Sequence, residues 1–197
     1  MPTAARKPTP RTPGYQDVLD APPHKVAQII AGTLHTHPRP ASPHALASSG
    51  LGARVVPPFN YGNGGPGGWW ILDEPELHLG ADILVPDLAG WRRATLPRFP
   101  RATFFTVAPD WVCEVLSPAT RRIDTGPKRT IYARAGVGHL WFVDPDARTL
   151  NAFCLRDGHW HPIAALSGDA AVSVPPFEAI SFDLSDLWIP EPDAEQE

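Results

Sequence analysis

An α/β fold, built on a mixed, curved β-sheet flanked by helices, is expected from three stretches of this sequence. The central one runs from Asp110 to Asp144 as D-W-V-C-E-V-L-S-P-A-T-R-R-I-D-T-G-P-K-R-T-I-Y-A-R-A-G-V-G-H-L-W-F-V-D. Its apolar run Trp111 to Leu116 reads as a buried strand. A helical segment from about Pro127 to Ala135 follows, with Pro at its start and Gly136 just past its end. The second apolar run, His139 to Val143, closes the unit, and strand, helix and strand at this spacing form a parallel crossover. The second stretch, Leu150 to Leu155 and His159 to Ile163 around Asp157-Gly158, reads as an antiparallel hairpin. The third holds closely spaced strands at Trp69 to Leu72, Glu76 to Leu79 and Ala81 to Val85. Parallel and antiparallel pairing in one chain make the sheet mixed.

From the N-terminus, Tyr15 to Leu19 reads as one or two helical turns, then Val26 to Ile30 and Thr33 to His37 as strands joined around Ala31-Gly32. Gln28 lies inside the first of these. His35 and His37 form an H-x-H pair followed by His44, but no Cys, Asp or third His stands at ligand spacing, so the metal signal is weak. Ser42-Pro43-His44 reads as N-cap, first-turn proline and the start of a helix reaching about Val55. Pro57 to Gly68 is a loop whose G-N-G-G-P-G-G end lacks the Lys-Ser/Thr of a phosphate cradle and leads into a strand. Pro86 cannot donate to a ladder, so pairing is disturbed where Asp87 emerges. A basic loop, Arg92 to Arg101, comes next. Beyond the hairpin, Ala179 to Leu184 makes a last strand, with Leu187 and Trp188 packing down.

At 197 residues the chain is long enough for one domain with a real core, expected over 15–189. A disordered N-terminal tail, 1–14, and an acidic C-terminal tail, 190–197, flank it. No apolar run approaches a membrane span, and the N-terminus has no apolar core for a signal peptide, so no membrane association and a cytoplasmic location are expected. The two cysteines, Cys113 and Cys154, have no paired spacing and fit a reduced, structural role. The net charge of −4 does not advertise a nucleic-acid binder, yet the last eight residues carry four acids and no base, so the rest of the chain is neutral. Within that body Arg92, Arg93, Arg98 and Arg101 cluster without an acid, and Arg121, Arg122, Lys128, Arg129 and Arg134 surround the central helix. Such clusters are usually solvated surface; contact with a DNA backbone becomes the better reading where they flank a cleft.

The residue that does not fit its surroundings is Glu114, a carboxylate inside a strand covered on both faces. If Asp87 faces it, two carboxylates about 4 Å apart repel by roughly 4 kcal/mol at an effective dielectric near 20. A divalent cation would turn that cost into binding, and carboxylates with water and a backbone carbonyl suit Mg2+ or Mn2+. Lys128 falls in the first turn of its expected helix, where the macrodipole disfavours a cation and an anionic neighbour is called for. Tyr132 lies one turn along the same face.

The succession V-P-D (85–87), E-V-L-S-P-A-T (114–120), D-T-G-P-K-R-T-I-Y (124–132) and G-V-G-H-L-W-F-V-D-P (136–145) resembles the Uma family of restriction-endonuclease-type proteins, within the PD-(D/E)XK nuclease superfamily. The resemblance covers about Tyr15 to Trp188 and implies a restriction-endonuclease-like core. It also implies Mg2+-dependent (or Mn2+-dependent) hydrolysis of DNA, with Asp87, Glu114 and the Val115 carbonyl as metal ligands and Lys128 positioning water or stabilising charge. Gln28 and Tyr132 would support the site, and Arg92, Arg93, Arg98 and Arg101 would follow the DNA backbone. A homodimer is expected from the task alone, since cutting both strands favours two sites about a two-fold axis.

Two departures from the pattern stand out. Leu116 occupies the superfamily's lysine position, two residues after the glutamate, so Lys128 would substitute from the next helix. Gln28, in A-Q-I-I-A-G, stands where the early strand usually carries an acid, which would weaken a second metal position. The rival expectation is therefore a nuclease-fold binding module whose catalysis is weakened or lost.

Overall fold

The computed structural model describes residues 11–39 and 41–190, so most of both expected tails lies outside the described residues. Arg11 and Gly14, which fall within the expected N-terminal tail, both donate to Asp17. Asp17 belongs to the first helix, α1 (Tyr15–Leu19).

A six-stranded sheet divides the molecule. Its strands are β3 (Trp69–Asp73), β6 (Leu88–Arg92), β7 (Trp111–Val115), β8 (His139–Asp144), β9 (Thr149–Arg156) and β10 (His159–Ser167). They lie in the spatial order β10-β9-β8-β7-β6-β3. β7 and β8 are parallel, from Trp111 opposite His139 to Val115 opposite Val143, and the other pairs are antiparallel, so the mixed sheet is as expected. A smaller antiparallel sheet has the order β2-β1-β5-β4, from β1 (Lys25–Ile30), β2 (Thr33–Pro38), β4 (Leu77–Leu79) and β5 (Asp82–Leu84). β11 (Ala171–Val172) and β12 (Phe182–Asp183) form a short ladder, so the last strand is shorter than the sequence suggests.

Strand alternation assigns the two faces of the large sheet to two cores. Trp111, Cys113, Val115, Trp141 and Val143 face one, which α2 (Ser42–Val55) covers with Ala47, Leu51 and Val55 together with the segment from Val172 to Trp188. Val112, Leu140 and Phe142 face the other, closed by Ile30, Leu77 and Leu84 of the small sheet and by Ile131 and Tyr132 of α4 (Arg129–Ala135). Among the described residues no helix is long and apolar enough to cross a membrane.

Four details differ from the sequence reading. Ser42 is the first residue inside α2, and Ala41 takes the N-cap without a side-chain bond. The helix runs beyond Val55 as a π-helical turn, Val56–Asn60, in place of the start of a loop. Leu88–Arg92, unrecognised as a strand because Ala89-Gly90 has weak β propensity, lies between β3 and β7. A Cβ at Gly90 would come within 3.3 Å of the Trp69 and Trp111 rings, which explains a glycine in mid-strand. Finally, the central helix starts at Arg121, not Pro127: α3 (Arg121–Ile123) passes through a π-helical turn, Asp124–Lys128, into α4. Ser117 launches it by accepting from Thr120 and Arg121, and the widened turn accommodates Pro127 inside the helix. Lys128 is therefore mid-helix, and the first-turn dipole argument does not apply to it.

Candidate active site

The chain changes sheets at Val85-Pro86-Asp87: β5 ends at Leu84 in the small sheet and β6 begins at Leu88 in the large one. Proline suits this junction because no ladder claims its nitrogen. Asp87 thus precedes β6, beside β7, and its Oδ2 accepts from the Val115 backbone N–H at 2.7 Å. Glu114 extends from β7 toward α4, where the Tyr132 hydroxyl donates to its Oε1 at 2.6 Å. Lys128 Nζ lies 2.7 Å from the same oxygen and 3.2 Å from Asp124 Oδ1. It also donates, at the long distance of 3.4 Å, to the carbonyl of Val85. Those three acceptors match the three donors of an ammonium.

This polar cluster is almost wholly removed from water: Glu114 is 2% exposed, Asp124 3% and Lys128 1%. Burial is the main influence on Glu114 and pushes its carboxyl up to about 8; Lys128 opposes the rise, while Asp124 and Asp87 add to it. For Lys128, burial works against the ammonium, but Glu114 and Asp124 more than offset it and hold its pKa above the ordinary lysine value. The two shifts have one origin. Glu114 and Asp124 share a single ammonium, with the Asp87 charge nearby, so the lysine keeps its proton while Glu114 is ready to take one. Burial and then Glu114 keep the Tyr132 phenol protonated, as a donor must be.

Two residues of this cluster were not among the expected site residues. Asp124 stands four positions before Lys128, a helical ion-pair spacing that could have revealed it. His44 occupies the first turn of α2 on the buried stripe it shares with Ala47, Leu51 and Val55, and that spacing was visible too. Its Nε2 is 3.1 Å from Asp87 Oδ1. Burial opposes a charge on the ring, but Asp87 outweighs it and raises the His44 pKa.

Gln28 lies behind the cluster. Its Oε1 accepts from the Val85 N–H at 2.9 Å and its Nε2 donates to His37 Nε2 at 3.1 Å, so the amide clamps the strand that delivers Val85 to Lys128. It makes no hydrogen bond to Asp87 or Glu114. The four arginines expected on DNA are elsewhere. Arg92 ends β6, a strand length of roughly 16 Å from Asp87. It stacks over Trp69, and Arg93 over Trp70, with Arg98 and Arg101 exposed in the loop beyond.

The cluster opens into a cleft of about 260 Å³ lined by Asp87, Glu114, Asp124 and Lys128, with His44 on one side and Ser117 to Thr120 on another. Arg39 reaches it from the end of β2; Arg92, Arg93, Arg98 and Arg101 do not. Among the described residues, no three His, Cys, Asp or Glu side chains are already gathered as metal ligands. A cation here would be held by fewer side chains, with backbone and water completing its shell.

Comparison with known proteins places this architecture. No curated protein matches the chain. Among solved structures, a protein from Anabaena variabilis described as "a putative nuclease belonging to DUF820" shares the fold, with a TM-score of 0.70 and 22% identity, over 88% of this chain and 96% of that one. The sequence pattern of one family, described as "Putative restriction endonuclease", matches residues 14–185, and the chain belongs to that family, Uma2.

Proposed function

We propose that the protein is a divalent-metal-dependent DNA endonuclease of the PD-(D/E)XK kind, hydrolysing phosphodiester bonds in the cleft beside Asp87 and Glu114. The observation that carries this reading is the excess of buried carboxylate over ammonium at the mouth of a cleft, in a chain of a restriction-endonuclease family. Hard oxygen donors in such an environment fit Mg2+ or Mn2+. Asp87, Glu114 and the carbonyl of Val115 would hold the ion. When bound, it would supply an activated water and neutralise charge on the phosphoryl group.

The chain's own residues do the rest. Tyr132 fixes Glu114 by donating to its Oε1, leaving the carboxylate one orientation. Lys128, locked between Glu114 and Asp124, presents a permanent positive charge to the side of the cleft where the scissile phosphate would enter. Arg39 offers a backbone contact at the cleft. Arg92, Arg93, Arg98 and Arg101 would meet a duplex only as flanking contacts about a strand length away. Cleavage of both strands would bring two copies together as a homodimer. Two free, buried cysteines suit a reducing, cytoplasmic setting.

A second reading, a binding module with weakened catalysis, has Gln28 in its favour: its amide is committed to Val85 and His37 and brings no charge to the cluster. Nicking of supercoiled plasmid with Mg2+ or Mn2+ separates the two. The nuclease reading predicts metal-dependent nicking that Asp87→Asn, Glu114→Gln and Lys128→Met each lower by about a hundredfold or more. DNA binding without nicking in the wild type, together with nicking by Gln28→Glu, would favour the weakened module.

A further inference from the structure

α2 brings His44 to Asp87 from the face of the sheet opposite Tyr132. The ring is buried, at 8% exposure, and its polar contacts fall on one edge: Nε2 is 3.1 Å from Asp87 Oδ1, and the ring also reaches the backbone of Val115. The other nitrogen, Nδ1, is buried without a hydrogen-bond partner among the described residues. Nε2 thus points at Asp87, and the ring lies against the backbone of Val115, the two groups that the metal-dependent reading makes ligands.

We propose that His44 Nε2 is itself a ligand of the divalent ion, joining Asp87, Glu114 and the Val115 carbonyl in a mixed oxygen–nitrogen site that favours Mn2+ over Mg2+. The inference rests on the metal-dependent reading above and goes beyond it in ligand and in ion preference. Neighbouring ligands of an octahedral ion with bonds of about 2.1–2.2 Å lie about 3 Å apart. Nε2 and Oδ1 already have that separation. An imidazole nitrogen suits Mn2+ well, whereas Mg2+ prefers oxygen throughout.

Electron spin-echo spectroscopy of the full chain loaded with Mn2+, with natural-abundance and 15N-labelled histidine, reads the contact directly and needs no variant. The expected result is a nitrogen coupling of directly bound imidazole that changes on labelling. In parallel calorimetry, His44→Ala should weaken Mn2+ by at least about tenfold and Mg2+ by less than about threefold. An oxygen-only signal, with Mn2+ binding that still depends on Asp87 and is unmoved by His44→Ala, would overturn the His44 ligand and leave the metal site standing. Absence of Mn2+ and Mg2+ binding in the wild type, or binding that Asp87→Ala leaves unchanged, would overturn the metal site and the His44 ligand together.

Discussion

Glu114 shows what one carboxylate costs and what its neighbours do about it. It is buried in a central strand, and Tyr132 and Lys128 both bond to the same oxygen, so most of its compensation comes from one side. Removing the lysine would leave Asp124 buried without a counter-charge and Glu114 without one of its two hydrogen-bond donors. Lys128→Met should therefore destabilise the fold by about 3–5 kcal/mol, as read by urea unfolding near neutral pH. The raised Glu114 pKa of about 8 has a consequence of definite sign. Between the ordinary carboxylate range and about 8 the folded chain keeps a proton that the unfolded chain releases. This contribution is thus fully present below that window and is lost as the pH rises through it. Thermal unfolding in chelator should show a lower melting temperature at about pH 8 than at about pH 6, and Glu114→Gln should flatten the slope. On the metal-dependent reading, added Mg2+ should oppose the loss, because a bound ion would need the deprotonated carboxylate.

At the scale of elements, the site exists because three of them end in one place. β5 delivers Val85, the Val-Pro-Asp junction delivers Asp87, and the helical segment after β7 swings Lys128 back over Glu114. The crossover and both hairpins were legible because apolar runs and glycine turns mark them directly, and α2 because Pro43 marks its first turn. The start of the central helix was not, since Pro127 is a stronger local signal than the Ser117–Thr120 turn that launches it. β6 was hidden for a related reason: Gly90 weakens the strand pattern locally, and only the closeness of the Trp69 and Trp111 rings to it shows why it is there. The far end of the central helix follows the local signal closely. Gly136 caps it in the left-handed region, at φ 80°. Gly136→Ala should cost about 1–2 kcal/mol, measured as a shift in the denaturant midpoint with an unchanged slope.

Over the whole molecule, the large sheet is the partition on which everything is mounted. α2 and the C-terminal segment cover one face; the small sheet and α4 cover the other; the cleft lies where the junction between sheets meets the C-terminal end of β7. The motifs at 85–87, 114–120 and 124–132 carried the position of Asp87, Glu114 and Lys128 because those residues are close to their strand and helix signals. His44 and Arg39 were harder to find, since they reach the cleft from parts of the chain far away in sequence, and only tertiary packing brings them there. The arginines at 92–101 cluster in sequence, and the fold sets that cluster at and beyond the end of β6, away from the cleft.

The most direct test of the account is calorimetric titration of the wild type with Mg2+ and Mn2+, beside Asp87→Ala and Glu114→Ala. The account predicts saturable binding in the wild type, at one site in the cleft, that each substitution abolishes while the variants still unfold cooperatively. Binding that survives both substitutions, or none at millimolar metal with a DNA duplex present, would contradict it.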